Sequence, residues 1–169
     1  MSNLKLLVIG HGRHGKDTVC EILEKNYGYS FESSSRFCSK LFIYDQLKDK
    51  YNYTSEEECY EDRHNHRAEW YNAICDYNEK DAATLGREIF KEHDIYCGLR
   101  NKREFFAMKN TNVFDYAIWV DRSDHLPPEA KDSMSLEQWM ADFTIDNNRD
   151  LDQLMFNTYQ LIEHLKVRS

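Results

Sequence analysis

The apolar run Leu6-Leu-Val-Ile9 breaks directly into Gly10-His-Gly-Arg-His-Gly15-Lys16-Asp17-Thr18, after which Val19, Ile22 and Leu23 recur at helical spacing toward Tyr27. A buried strand that ends in glycines and re-emerges as a helix leaves few choices of fold. The spacing G-x-x-x-x-G-K in this setting turns successive main-chain N–H groups inward, in front of the positive end of a helix dipole. That is a cradle for phosphate oxygens. Lys16 adds a mobile ammonium where charge shifts during transfer of an outer phosphate.

The rest of the chain alternates strand and helix patterns. Strands are expected at Tyr29 to Glu32, Ile95 to Leu99, Tyr116 to Val120 and Asp142 to Ile145. Thr54-Ser-Glu-Glu57 reads as a capping box opening one long helix toward Asn78, and further helices fit Asp81 to His93 and, briefly, Ser135 to Met140. Asp150 caps a last helix with Leu151, Leu154, Met155, Thr158, Ile162 and Leu165 on one stripe. Such alternation predicts a mostly parallel sheet in a three-layer α/β/α arrangement, with its sites beyond the carboxyl ends of the strands.

A length of 169 residues suits one domain, 1–169. No apolar run approaches the roughly 20 residues of a membrane span, and Met1 to Ile9 leads into a strand rather than a leader, so a cytoplasmic protein is expected. Five scattered cysteines without a C-x-x-C pair suggest buried thiols, not a disulfide framework or a zinc knuckle. A formal charge of −8 disfavours tight nonspecific binding to duplex DNA.

The G-K-D-T form of the loop resembles the deoxynucleoside monophosphate kinases of phages, within the adenylate-kinase-like and dephospho-coenzyme-A-kinase-like group. The stretch Asp94-Ile-Tyr-Cys-Gly-Leu-Arg100-Asn-Lys-Arg103-Glu104 is similar to that family's strand-then-Arg-then-Glu element. Phe114 to Arg122 looks like its next strand, and Ala141 to Asn148 like the segment that passes the adenine. With Ser33-Ser-Ser-Arg36-Phe-Cys, Asn65-His-Arg67-Ala-Glu-Trp70 and Gly86-Arg-Glu-Ile-Phe, the whole set is closest to the phage branch that phosphorylates 5-hydroxymethyluracil within DNA.

The resemblance implies an adenylate-kinase-like P-loop NTPase with a helical, acceptor-covering stretch at about 33–93 and a short lid at about 122–133. It implies ATP and Mg2+ as cofactors, a nucleotide or modified-DNA acceptor, no stable protein partner, and the host cytoplasm as location. Gly10, Gly12, Arg13, His14, Gly15, Lys16, Asp17, Thr18, Arg122 and Asn147 are the expected nucleotide contacts, with Asp17 and Thr18 toward the metal. Lys16, Asp17, Arg100 and Asp121 are the catalytic candidates, and Ser33, Arg36, Arg67, Trp70, Arg100 and Arg103 the acceptor-side ones.

Two departures from the family pattern matter. Asp17 stands where a hydroxyl residue normally ligates magnesium, so it is a candidate ligand, a candidate proton acceptor, or a plain helix N-terminal acid. Gly98 stands where these kinases commonly carry Asp just before the Arg element.

Several acceptor-side residues also have simpler readings. Arg36 fits either a bidentate phosphate grip or a helix-end surface role. The helix from Asp62 to Tyr77, rich in His, Arg and aromatic residues, fits either a wall against an acceptor base or ordinary core packing. A GTPase switch is disfavoured because D-x-x-G is missing and Asn101-Lys-Arg-Glu104 ends in the wrong acid. Free deoxynucleoside monophosphates remain the alternative acceptor.

Overall fold

The computed structural model describes residues 2–169. Strands β1 (Leu6–Ile9), β2 (Phe31–Ser33), β3 (Ile95–Cys97), β4 (Tyr116–Asp121) and β5 (Phe143–Asp146) form one sheet in the order β2-β3-β1-β4-β5. Every neighbouring pair is parallel, with Leu6 opposite Ile95 on one side and Tyr116 on the other. The expected α/β architecture is therefore present, and β1 lies at its centre with all four residues buried.

Alternation along the strands splits the core in two. Leu6 and Val8, with Ile95, Ile118, Val120 and Ile145, face α1 (Lys16–Tyr27) and α8 (Leu151–Arg168), which bring Val19, Leu23, Leu154 and Ile162. Leu7 and Ile9, with Tyr96, Ala117 and Trp119, face the opposite layer. That layer holds α2 (Ser34–Cys38), α3 (Tyr44–Tyr51), α4 (Glu56–Glu61), α5 (Arg67–Tyr77), α6 (Thr84–Glu92) and α7 (Lys102–Asn110). Four of the five cysteines are buried and only Cys75 is exposed.

Four helical segments differ from the sequence expectation, one of them α7, which it does not include. Residues 34–51 form a continuous run that periodicity does not reveal, because residues Ser39–Ile43 are a π-helix. Its buried residues Phe37 and Phe42, and Cys38 and Ile43, stand five apart, which suits a π turn and breaks the 3.6 pattern.

The long helix expected from Thr54 to Asn78 is interrupted by a 3-10 turn at Asp62–Asn65. There the Asp62 carboxylate accepts from Tyr53 Oη at 2.6 Å, Asn65 Nδ2 at 2.6 Å and His66 Nε2 at 2.9 Å, local bonds that compete with the helical ladder. The cap is also one residue later: Ser55 Oγ accepts from the Glu58 N–H at 3.2 Å, while Glu58 reaches back to the Thr54 N–H. Finally, the helix expected at Ser135 to Met140 is only a 3-10 turn at Gln138–Met140.

Candidate active site

The loop between β1 and α1 is the centre of the site, and its shape follows from its glycines. Gly15 has φ +104°, and a Cβ there would lie 2.3 Å from Asn147 Nδ2. With Arg13 also left-handed at φ +67°, the loop makes the alternating backbone turn that aims N–H groups at an anion. Gly10 is pressed against the Val120 carbonyl at the end of β4, where a side chain would be 2.6 Å from the oxygen.

Lys16 Nζ donates to the carbonyl oxygens of Gly10 at 2.8 Å and His11 at 2.9 Å, curling over the loop it serves. Burial, then the nearby Arg100 guanidinium, lowers its pKa from the usual lysine range. The ammonium is thus partly stripped of water and beside a second cation, a setting that favours a polyanionic ligand.

A carboxylate sits in this cradle. The Gly12 N–H donates to Glu129 Oε1, Arg100 pairs with Glu129 Oε2, and the Glu129 N–H donates to His11 Nδ1 at 3.1 Å. Burial would raise the Glu129 pKa, but Arg100, the Gly12 N–H and Lys16 together hold it below the usual carboxylate range. Burial, then His14, lowers the His11 pKa, which keeps its Nδ1 free to accept. Glu129 lies in the short stretch expected to act as a lid, and it is the site residue that sequence reasoning missed; no local pattern marks it.

Arg122 and Asn147 support the loop from behind. Asn147 Nδ2 donates to the His14 carbonyl at 2.9 Å, and the Arg122 N–H donates to the buried His14 ring at Nδ1, also 2.9 Å. The Arg122 guanidinium itself donates to the Asn147 carbonyl at 2.7 Å.

The two candidate acids separate. Asp17, exposed in the first turn of α1, accepts from Cys97 Sγ at 3.5 Å, on the side of β3 and Arg100. Asp121 is turned toward β5, where its carboxylate accepts from Ser123 Oγ at 3.1 Å and Asn148 Nδ2 at 3.2 Å. Gly98 has a physical reason to be glycine: its φ is +98°, and a Cβ would come within 2.9 Å of Ser34 Oγ.

Acceptor-side candidates are more dispersed. Ser33 caps α2, its Oγ accepting from the Arg36 N–H at 3.2 Å. Arg36 pairs with Glu57 and with Glu56 at 3.2 Å, and lies 4.5 Å over the Tyr60 ring. Arg67 is exposed beside His64, and Arg103 donates to the Glu79 carbonyl at 3.2 Å. Trp70 is 6% exposed and belongs to the core, so the exposed ring of α5 is Tyr71. Half-buried Glu104, in the first turn of α7, has its pKa pushed up to about 7 by burial, against hydrogen bonds from Asn78 and Tyr96.

Among the described residues no group of three or more His, Cys, Asp or Glu side chains is placed to hold a metal. Magnesium that arrives with a nucleotide needs only one or two protein ligands, because phosphates and water supply the others. Asp17 and Thr18 at the loop's end fit that mode. No described helix is long and apolar enough to cross a membrane.

No family model matches the chain, and no curated protein matches it. A solved shikimate kinase from Bacteroides thetaiotaomicron aligns over 96% of this chain and 98% of its own, with TM-score 0.52 and 10% identity. The likeness is one of fold: this chain shares the α/β architecture of that structure, with five strands in one parallel sheet.

Proposed function

We propose that this protein transfers the γ-phosphoryl group of ATP to a nucleotide-class acceptor, the hydroxymethyl group of 5-hydroxymethyluracil in DNA. One observation carries the phosphotransfer reading: the loop N–H of Gly12, with Arg100 and Lys16 nearby, already holds an anionic group in the form of the Glu129 carboxylate. The acceptor reading rests on the resemblance of the G-K-D-T loop and its companion motifs to the phage branch described above.

In the proposed reaction the triphosphate displaces Glu129, which frees Arg100 and the Gly12 N–H for the outer phosphates. Lys16 gives up the Gly10 and His11 carbonyls for the same oxygens. Thr18, together with the nucleotide's own phosphates and water, would hold Mg2+, which would supply charge neutralisation, and Asp17 is left free to act as a base. The acceptor oxygen attacks the γ-phosphorus as ADP leaves, and its proton passes to Asp17, the acid on the Arg100 side of the loop. Asp121, bonded to Ser123 and Asn148, is left to shape the end of β4.

The competing acceptor is a free deoxynucleoside monophosphate, which the net charge of −8 favours over a polyanion. Incubation with γ-labelled ATP and Mg2+ separates the two. Label in hydroxymethyluracil-containing DNA and none in free monophosphates is expected; label in free monophosphates alone would overturn the DNA reading. Lys16→Ala should fold normally and lose at least about 10²–10³-fold in transfer, the usual effect of removing one donor to a developing anion. Undiminished transfer in that variant would sink the assignment of the site.

A further inference from the structure

The stretch between β4 and β5 and the start of α7 enclose a cleft of about 680 Å³ that contains none of the glycine-loop residues. Its floor is apolar, built from Phe106, Met134 and Met140, and the Trp139 indole stands beside it. Its rim is cationic: Lys102, Arg103 and Lys131 line it, against Glu137 as the one carboxylate in the lining. Trp139 Nε1 donates to that carboxylate at 2.6 Å, which ties the acid to the indole edge and leaves the ring face open. Three cations against one acid is a local reversal in a chain of net charge −8.

A large exposed aromatic beside lysines and arginine has a specific chemical complement, a planar ring that carries an anion. Trp139 is 70% exposed, whereas Trp70 and Trp119 are 6% and 2% exposed. The volume lies within the range of ordinary small-molecule sites. The cleft also adjoins the phosphate cradle. Ser135 bridges them, its N–H donating to the Arg100 carbonyl at 2.9 Å and its Oγ accepting from the Lys102 N–H at 2.8 Å.

We infer that this cleft is a second nucleotide-binding site, which stacks a base on Trp139 and holds its phosphate with Lys102, Arg103 and Lys131. The inference does not depend on the phosphotransfer reading. The same chemistry is offered by a free nucleotide and by one nucleotide of a single strand, so two probes are needed, dTMP and (dT)4.

The test reads tryptophan emission excited at long wavelength. Either probe should quench the exposed Trp139 component, and Trp139→Phe should abolish the signal. The triple variant Lys102→Ala, Arg103→Ala, Lys131→Ala should weaken binding at least about tenfold. With (dT)4, log affinity should fall with log salt at a slope of about −0.7 for the one phosphate held, and (dT)4 should bind at least about tenfold tighter than dTMP if a strand is the source. Equal affinity for the two probes assigns the site to free nucleotides. Anisotropy of labelled (dT)4 gives a second measurement that does not require the indole.

The same titration in Lys16→Ala keeps the two sites apart. Retained quenching there places the binding in the cleft, and its loss would place it on the glycine loop and overturn the inference. So would the absence of quenching by both probes at millimolar concentration, or quenching that the triple variant leaves unchanged. Failure of ATP to bind the wild-type protein, with cleft binding intact, would count against the phosphotransfer proposal alone.

Discussion

Glu104 shows how one side chain couples the helical layer from α2 to α7 to solution conditions. Its carboxyl titrates near 4.5 in an unfolded chain and near 7 in the folded one, where burial opposes ionisation. Between these values the unfolded state loses the proton first. The stabilising contribution is therefore complete below about 4.5 and is lost as pH rises to about 7. At roughly 1.4 kcal/mol per unit, reduced because the group is only half-buried, the loss amounts to about 1–3 kcal/mol. Glu104→Gln keeps an acceptor for Asn78 Nδ2 and removes the charge. Urea unfolding should find the variant more stable than the wild type by about 1–3 kcal/mol at pH 8 and equal to it at pH 4. Equal stability at both pH values would mean that Glu104 is solvated.

At the scale of elements, α6 and α7 approach through a glycine. A Cβ on Gly86 would lie 2.0 Å from Met108 Sδ, and Met108 is fully buried, so the helices would have to separate or the core repack. Overpacking of this kind costs about 1–3 kcal/mol, more than the roughly 1 kcal/mol that alanine recovers in helix propensity. Gly86→Ala should accordingly lower the denaturation midpoint without changing its slope, whereas an unchanged or higher midpoint would show that Met108 moves freely. α7 falls outside the helices expected from the sequence, although Asn101 Oδ1 caps it by accepting from the Arg103 and Glu104 N–H groups; α6, expected at Asp81 to His93 and found at Thr84–Glu92, was legible. The run from Ser34 to Tyr51 was not, because the π segment shifts its apolar residues off the helical period.

Across the whole molecule, the connection from β4 to β5 closes on the loop after β1, and under the proposed function nucleotide competes with that closure. The Arg100–Glu129 pair is partly exposed, so it contributes no more than about 1 kcal/mol, or about fivefold in affinity. Glu129→Gln should bind ATP up to about fivefold more tightly by calorimetry. A hundredfold excess of ATP and Mg2+ over Kd should raise the Tm of the wild type by about 5–10 °C, from a linkage of about 2.7 kcal/mol. Weaker ATP binding by the Gln variant would show that Glu129 assists the nucleotide instead of excluding it.

What could be read from the chain alone was contiguous. The strand, glycine loop and helix from Leu6 to Tyr27 carry their own hydrophobic pattern, turn chemistry and spacing within about twenty residues, and the alternation that follows implies a parallel sheet. Packing decided what is not contiguous. Glu129 reaches Gly12 across 117 positions, Asp121 turns to Asn148 while Asp17 turns to Cys97, and Trp70 enters the core while Trp139 stays out. Each of these outcomes depends on which elements share a face of the sheet and how closely they approach, and no local pattern of residue types encodes that.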